Sequence, residues 1–116
     1  SVNATLVNMR WIKPLDLEAI DELCVTHDLL VSLEDNASAG GAGSAISEYL
    51  HIQAHQVKFQ AMGLPDQFLE HGTVKEILEG CALDALSVAH FIRKLLLATN
   101  SEAQFQRELS TIDSQR

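Results

Sequence analysis

Short apolar runs alternate with segments of helical period along this chain of 116 residues. Residues 29–33 form a nearly continuous apolar run, the pattern of a strand buried on both faces of a parallel sheet. Residues 4–9 are rich in strand-forming side chains, and residues 56–61 alternate apolar with polar positions, as a half-exposed strand does. Three strands separated by helical segments predict an α/β layer fold.

Four helices are predicted around these strands, and most have a recognisable first residue. Thr73, followed by Glu76 three residues later, is a capping box for a short helix that ends at Gly80. Asp16 is placed to cap a helix that ends near residue 27, and Asp84 to cap the last helix of the domain. The expected apolar faces are, in chain order, Leu17, Ile20, Leu23 and Cys24; Ile46, Tyr49 and Leu50; Val74, Ile77 and Leu78; and Val88, Phe91, Ile92, Leu95 and Leu96.

The end of the chain is predicted to be a separate helical segment. Ser101 and Gln104 have the spacing of a second capping box, which would open a new helix. We therefore divide the chain into a domain of residues 1–98 and a helical C-terminal extension of residues 99–116. One side of the extension is apolar and consists of Phe105, Leu109 and Ile112.

Composition and charge exclude several classes of function. The length fits one compact domain, and a 47% hydrophobic content is typical of a globular protein. Sixteen acidic against eight basic side chains give a net charge of −8, which repels a nucleic-acid backbone. No apolar run approaches the roughly 20 residues of a membrane span. The two cysteines lack metal-ligand spacing and suit a reducing compartment.

A glycine-rich loop is the first candidate for binding chemistry. Gly40, Gly41 and Gly43 precede a predicted helix, whose free N–H groups could hold a phosphate or a carboxylate. The loop lacks the Lys-Ser/Thr ending of a phosphate loop, and Ile46 stands where a dinucleotide fingerprint has its third glycine. We therefore favour close packing of helix on sheet over nucleotide binding.

Glu34 and Asp35 follow the buried strand, at the edge where α/β proteins place ligands. Consecutive strand residues point to opposite faces, so these two carboxylates are not expected to share a proton. We assign no catalytic role to either and expect a capping or hinge contact.

The histidines and a small cationic cluster complete the candidates. His51 and His55 are four residues apart, as metal ligands on a helix are, but no third ligand has a recognised spacing, so surface histidines are favoured. His71 is expected to stabilise a turn by a hydrogen bond.

A small cationic cluster consists of Arg10 and Trp11, close to Lys13. We favour an interface over an anion site for this cluster, because interfaces are enriched in Arg and aromatic side chains. No GxSxG motif is present, so a hydrolase is unsupported.

Four motifs in order give the chain a family resemblance. They are MRWIKPLD at residues 9–16, VSLEDN at 31–36, GGAGSA at 40–45 and GLPDQFLEHG at 63–72. Together they resemble the C-terminal domain of 1-deoxy-D-xylulose 5-phosphate synthase, a thiamine-diphosphate enzyme of the transketolase superfamily. The resemblance covers roughly residues 3–97. It implies a three-layer α/β/α fold with a small, mostly parallel sheet. In that family another strand and helix precede the segment matching residues 4–9, so we expect them to be missing from this chain.

The resemblance also implies a function for a parent enzyme. The family condenses pyruvate with glyceraldehyde 3-phosphate to 1-deoxy-D-xylulose 5-phosphate and carbon dioxide, supplying precursors of isoprenoids, thiamine and pyridoxal. Its thiamine diphosphate and Mg²⁺ are held by motifs without counterpart here, so we expect no cofactor, no metal and no catalytic residue on this chain. The implied partners are upstream domains of the same polypeptide and a second subunit of a homodimer, in the bacterial cytoplasm.

Two alternatives stay open at this point. The chain could be a freestanding interaction or regulatory module of the same fold, or the C-terminal domain of a 2-oxoacid dehydrogenase β-subunit. The first and last motifs favour the synthase over the dehydrogenase. The residues singled out as loop or interface contacts are Arg10, Trp11, Glu34, Gly40, Gly41, Gly43 and His71.

Overall fold

The computed structural model describes residues 2–114, and the side chains of all of these except residues 112 and 113. Within that range, four helices and two strands follow one another as α1 (Leu17–Thr26), β1 (Leu29–Ala37), α2 (Ala42–Ile52), β2 (Lys58–Leu64), α3 (Val74–Gly80) and α4 (Ala85–Ser114). The predicted α/β fold class is confirmed.

The sheet is parallel, as predicted, and consists of β1 and β2 in the described part of the chain. The two strands pair in steady register from Leu29 opposite Lys58 to Leu33 opposite Met62, and after an irregularity Ala37 lies opposite Leu64. Helix α2 connects them, so β1, α2 and β2 form a βαβ unit. Both strands end later than the sequence pattern indicated, because pairing resumes between Ala37 and Leu64 after the irregularity, and β2 begins two residues later than predicted.

The strand predicted for residues 4–9 is wrong, because this segment forms no strand in the structure. Leu6 is 98% exposed, and Thr5 Oγ1 instead hydrogen-bonds His27 Nε2 at 2.9 Å, beyond the end of α1. A strand is stable only when its backbone groups pair with a neighbour, and within residues 2–114 the sheet contains β1 and β2 alone. Apolar composition favours an extended strand but does not supply the pairing partner.

The helix starts follow the sequence closely. The Asp16 side chain accepts a hydrogen bond from Ala19 N at 3.1 Å, and α1 ends at its predicted limit with His27 as C-cap. The capping box is complete: Glu76 N donates to Thr73 Oγ1 at 3.3 Å, and Thr73 N donates to Glu76 Oε2 at 2.8 Å. Asp84 Oδ1 accepts from the first-turn amides of α4. These caps are local contacts, which is why sequence spacing predicts them.

The second capping box, at Ser101 and Gln104, is wrong. Ser101 lies inside α4, and its hydroxyl donates to Leu97 O at 2.9 Å instead of capping a new helix. Residues 85–114 contain no glycine or proline, and a serine hydroxyl can bond the carbonyl four residues back without ending a helix. The division at residue 98 stays a prediction, although α4 continues through it. The Ile112 side chain lies outside the described part of the structure.

The buried core lies between the sheet and the first two helices. Ile20 of α1 and Ile46 and Leu50 of α2 are the centre of this core, at 7%, 6% and 5% exposure. Phe59 of β2 packs against them. Along β2 the side chains alternate, so Ala61 meets α2 whereas Met62 borders a groove beside α4 on the opposite face. This arrangement gives the three layers of the predicted fold.

Candidate functional site

The carboxylate of Glu34 lies at the N-terminus of α2. Its Oε2 accepts the N–H of Ala42 at 2.9 Å, and its Oε1 accepts the N–H of Gly43 at 3.2 Å. These amides belong to the first turn of the helix, which has no intrahelical acceptor for them. The positive end of the helix dipole faces the same carboxylate, so charge and hydrogen bonds both stabilise it there.

The glycines of the loop are required by close approach to this carboxylate and to the sheet. A Cβ at Gly41 would lie 2.3 Å from Glu34 Oε2, and a Cβ at Gly43 would lie 2.6 Å from Ala61 Cβ. Both distances are far shorter than atoms tolerate. Gly40, with φ at 75°, makes the left-handed turn into the loop.

The chain's own side chain therefore occupies the anion position that the glycine loop offers. A phosphate or an external carboxylate would have to displace Glu34 and leave a part-buried charge without its two amide donors. The geometry opposes nucleotide binding at this loop. Sequence reasoning treated Glu34 and the loop as separate candidates; an acidic residue ending a strand eight residues before a helix N-terminus is the pattern that could have joined them.

Two further polar side chains, Asp35 and Ser32, lie near this edge of the sheet. Asp35 is exposed, whereas Glu34 is half-buried, as the alternation of strand side chains predicts. The Ser32 hydroxyl is buried beneath α2 and has no hydrogen-bond partner within residues 2–114. It faces the backbone of Gly43, which leaves no room there for a ligand.

A second polar cluster joins α1 to α2 and the turn after it. The Tyr49 hydroxyl donates to Asp21 Oδ1 at 2.8 Å, and His55 Nε2 contacts the same oxygen at 2.8 Å. The hydrogen bonds from Tyr49 and then His55 lower the pKa of Asp21. The hydrogen bond to Asp21 raises the pKa of Tyr49. Burial, followed by the charge of Asp21, raises the pKa of the nearby Cys24 thiol.

This second cluster lacks the features of a nucleophilic or metal site. A raised thiol pKa reduces the thiolate fraction on which cysteine reactivity depends. His55 is half-buried and contacts Asp21, and His51 is exposed. In the part of the chain that the structure describes, no three His, Cys, Asp or Glu side chains are grouped to hold a metal ion. The hydrogen bonds of this cluster connect α1 to α2 and to the turn that precedes β2.

Arg10, Trp11 and His71 are all exposed and lie apart from Glu34 in the chain. Trp11 is 73% exposed and borders a shallow depression of about 450 Å³ with Pro14 and Leu15. His71 lies in the turn before α3, where Thr73 and Glu76 make the capping hydrogen bonds. The structure thus brings Glu34 together with Gly41 and Gly43, and leaves these three residues on the surface.

An open groove lies between β2 and the start of α4. Its volume is about 640 Å³, and its walls are mainly apolar. The side chains that shape it include Met62, Cys81, Leu83, Leu86, His90 and Phe91. No helix in the range 2–114 is both long and apolar enough to cross a membrane.

The chain exposes much more surface than its mass requires. Its accessible surface is 9259 Å², whereas a compact monomer of 12.7 kDa exposes about 6,200 Å². The radius of gyration is 16.8 Å, against about 13 Å for a compact domain of this length. Large apolar side chains contribute to the excess, among them Leu6, Trp11, Val25, Phe68, Leu86 and Leu97.

Comparison with known proteins gives one family and a consistent set of relatives. The sequence model of the family described as "Transketolase, C-terminal domain" matches residues 1–88. The chain is 47% identical over 95 residues to 1-deoxy-D-xylulose-5-phosphate synthase of Pasteurella multocida, 82% of this chain and 16% of that protein. It is 50% identical over 95 residues to the synthase of Mannheimia succiniciproducens, 82% of this chain and 15% of that protein.

A more distant relative covers the same share of the chain. The synthase of Pseudomonas aeruginosa is 44% identical over 96 residues, 83% of this chain and 15% of that protein. The chain therefore spans about a sixth of the length of the curated relatives it matches.

Proposed function

This chain belongs to the family of transketolase C-terminal domains, and from that premise we propose that it is the noncatalytic C-terminal domain of a 1-deoxy-D-xylulose 5-phosphate synthase. The observation that carries the proposal is identity of 47% and 50% to named synthases over 82% of the chain. The relatives above carry the name of the synthase, so we do not pursue a 2-oxoacid dehydrogenase.

We propose that the parent enzyme condenses pyruvate with glyceraldehyde 3-phosphate, using thiamine diphosphate and Mg²⁺ in the bacterial cytoplasm. Within residues 2–114, the geometry does not favour holding that cofactor. The glycine loop, the best candidate for a diphosphate, is filled by Glu34. The carboxylates and histidines of the described residues are not grouped for a metal ion. The cofactor and the substrates would therefore bind elsewhere in the parent protein.

The role proposed for this domain is packing against upstream domains and against a second subunit. The excess of about 3,000 Å² of exposed surface supports this role, because a typical interface removes about 800 Å² from each partner. Trp11, at 73% exposure, with Arg10 beside it, is the proposed interface anchor. The shape of the glycine loop is set by Glu34 together with Gly40, Gly41 and Gly43. His71 is a candidate loop contact.

The size of the native polypeptide tests the proposal. An antibody raised against this chain should detect, in the source cell, a band several times heavier than 12.7 kDa. A band at 12.7 kDa would reject the synthase and support the freestanding module.

Kinetics of the full-length enzyme test the noncatalytic role. Glu34→Gln should lower the melting temperature of the enzyme while leaving kcat and the KM for pyruvate within the error of the wild type. A loss of kcat at temperatures where the variant is fully folded would contradict the noncatalytic role. The exposed Asp35→Asn is the matched control, since it removes one neighbouring charge without a hydrogen-bond partner in α2.

A further inference from the structure

One segment of the chain connects the two sides of the groove beside α4. On one side lie Met62 and Gly63 of β2, and on the other side the lining resumes at Cys81. Between them run a loop and α3, residues 65–80, which we call the strap. Both ends of the strap are therefore fixed at the edge of the groove.

The strap is loosely held. None of residues 65–80 is buried, and this includes all of α3. In its loop, Gln67 N donates to Pro65 O at 2.9 Å, a hydrogen bond between two residues of the strap itself. The end of α3 is anchored by Leu83 N, which donates to Leu78 O at 2.8 Å. Segments with little buried surface open at a low free energy, so the strap can move while β1 and β2 stay paired.

The loop of the strap carries an uncovered aromatic side chain beside an unfilled apolar groove. Phe68 is 105% exposed, so no other part of the described chain covers its ring. A phenylalanine buries about 150–250 Å² when it packs, and this burial is favourable in water. The groove is about 640 Å³ in volume and mainly apolar, which is enough space for one aromatic ring.

We propose that the strap closes over the groove in solution and places the Phe68 ring inside it. Phe68 follows Gly63 by five residues, so its Cα can lie up to about 17 Å away from that end of the groove. This reach exceeds the diameter of a helix with its side chains, about 10–12 Å. Inside the groove the ring would meet the sulfur of Met62 and the aromatic ring of Phe91, both of which pack favourably against phenylalanine.

The sequence of the loop selects Phe68 for this position. Its neighbours include Gln67 and Glu70, whose polar side chains lose hydration in an apolar groove. Leu69 is also apolar, but it is already partly covered at 37% exposure. Closure would make the groove self-occupied, so an apolar ligand could enter it only by displacing Phe68.

This inference goes beyond the proposed function. It concerns a movement within the chain and does not depend on the identity of the parent enzyme. The immunoblot can therefore fail while closure is observed, and the reverse.

The first test is the rate at which iodoacetamide, an uncharged reagent, modifies the thiol of Cys81 in the full chain. Cys24→Ser in every sample leaves Cys81 as the thiol that reacts. Phe68→Gln should raise the rate by about threefold, the change expected when roughly two-thirds of the molecules are closed and shield the groove. Val25→Gln is the matched control, because Val25 is 85% exposed on α1, and it should leave the rate unchanged. Equal rates with Phe68 and with Gln at position 68 would overturn the proposal, since an open strap gives Phe68 no contact to lose.

The second test needs no substitution, and so does not depend on a variant that folds. Nuclear Overhauser contacts in the full wild-type chain should join the ring of Phe68 to the methyl groups of Met62 and Leu86, which line the groove. A Phe68 ring without contacts to the groove would overturn the proposal. Mixing labelled with unlabelled chains separates contacts within a molecule from contacts between molecules. Contacts seen only between molecules would assign the groove to a second copy and reject the strap.

Discussion

On one face of the sheet, α1 and α2 bury Ile46 and Leu50 almost completely, whereas on the other face α4 leaves Leu33 57% exposed beside an open groove. Both faces are built from the same two strands, and both are covered by helices with capped starts. The difference lies in how completely each helix layer closes over the sheet. The first face is closely covered by helices, and the second leaves apolar surface exposed.

The largest expected effect comes from a leucine-to-alanine substitution, which we compare between helix α2 on one face of the sheet and helix α4 on the other. Leu50→Ala removes a side chain that is 5% exposed and should lower the free energy of unfolding by about 2–5 kcal/mol. Leu97→Ala, on α4 at 70% exposure, should change it by less than about 0.5 kcal/mol. Urea denaturation of both variants measures the contrast. Equal losses would show that α4 is packed as tightly as α2.

A second comparison uses two glycines. Gly43→Ala drives a methyl group to 2.6 Å from Ala61 Cβ and should destabilise the fold by about 1–3 kcal/mol. Gly80→Ala, at the end of α3, meets no atom within 4 Å and should be neutral or stabilising by up to about 1 kcal/mol. Thermal unfolding distinguishes them, and a harmless Gly43→Ala would mean that α2 can move away from the sheet at little cost.

A third comparison tests the carboxylate that joins β1 to α2. Glu34→Gln weakens two hydrogen bonds and removes the favourable charge at the helix N-terminus, at a cost of about 1–2 kcal/mol. Asp35→Asn removes an exposed carboxylate and should cost less than about 0.5 kcal/mol. Denaturant titration measures both. Equal costs would contradict the capping role assigned to Glu34.

The smallest effect is the contribution of Asp21 to acid stability. Its folded pKa lies below the usual value of an aspartate because Tyr49 and His55 hydrogen-bond the carboxylate. The stabilisation is therefore present above the unfolded pKa and is lost as the pH falls through the folded pKa. The melting temperature of Asp21→Asn should lie below that of the wild type at neutral pH, and the two should converge in acid. A gap that stays constant with pH would exclude this titration as its origin.

Local patterns predicted most of the fold, and non-local pairing accounts for the main errors. The caps at Asp16, Thr73 and Asp84 depend on neighbours two to three residues away, so spacing identified them. The strand expected at residues 4–9 depends on a pairing partner that no local pattern contains. The helix start expected at Ser101 is wrong for a different reason, since its hydroxyl has an acceptor inside α4.

The candidate site shows the same limit. The glycine loop and the acid at the end of the strand were each visible in the sequence, but their contact depends on where β1 lies relative to α2. Likewise, nothing in the spacing of Asp21, Tyr49 and His55 indicates that one carboxylate oxygen binds both of the others. The family resemblance supplied the domain type, and the arrangement of side chains came from the structure.

The close approach of Glu34 to Gly41 also limits which substitutions this sequence can tolerate at these two positions. A Cβ added at Gly41 would lie 2.3 Å from Oε2 of Glu34, so a side chain at position 41 would need the space that the Glu34 carboxylate occupies. A larger residue at 41 becomes acceptable only after position 34 shortens or turns away, and that change leaves the first amides of α2 without their acceptor. Substitutions at the two positions are therefore energetically coupled, because replacing either residue first lowers the stability of the fold.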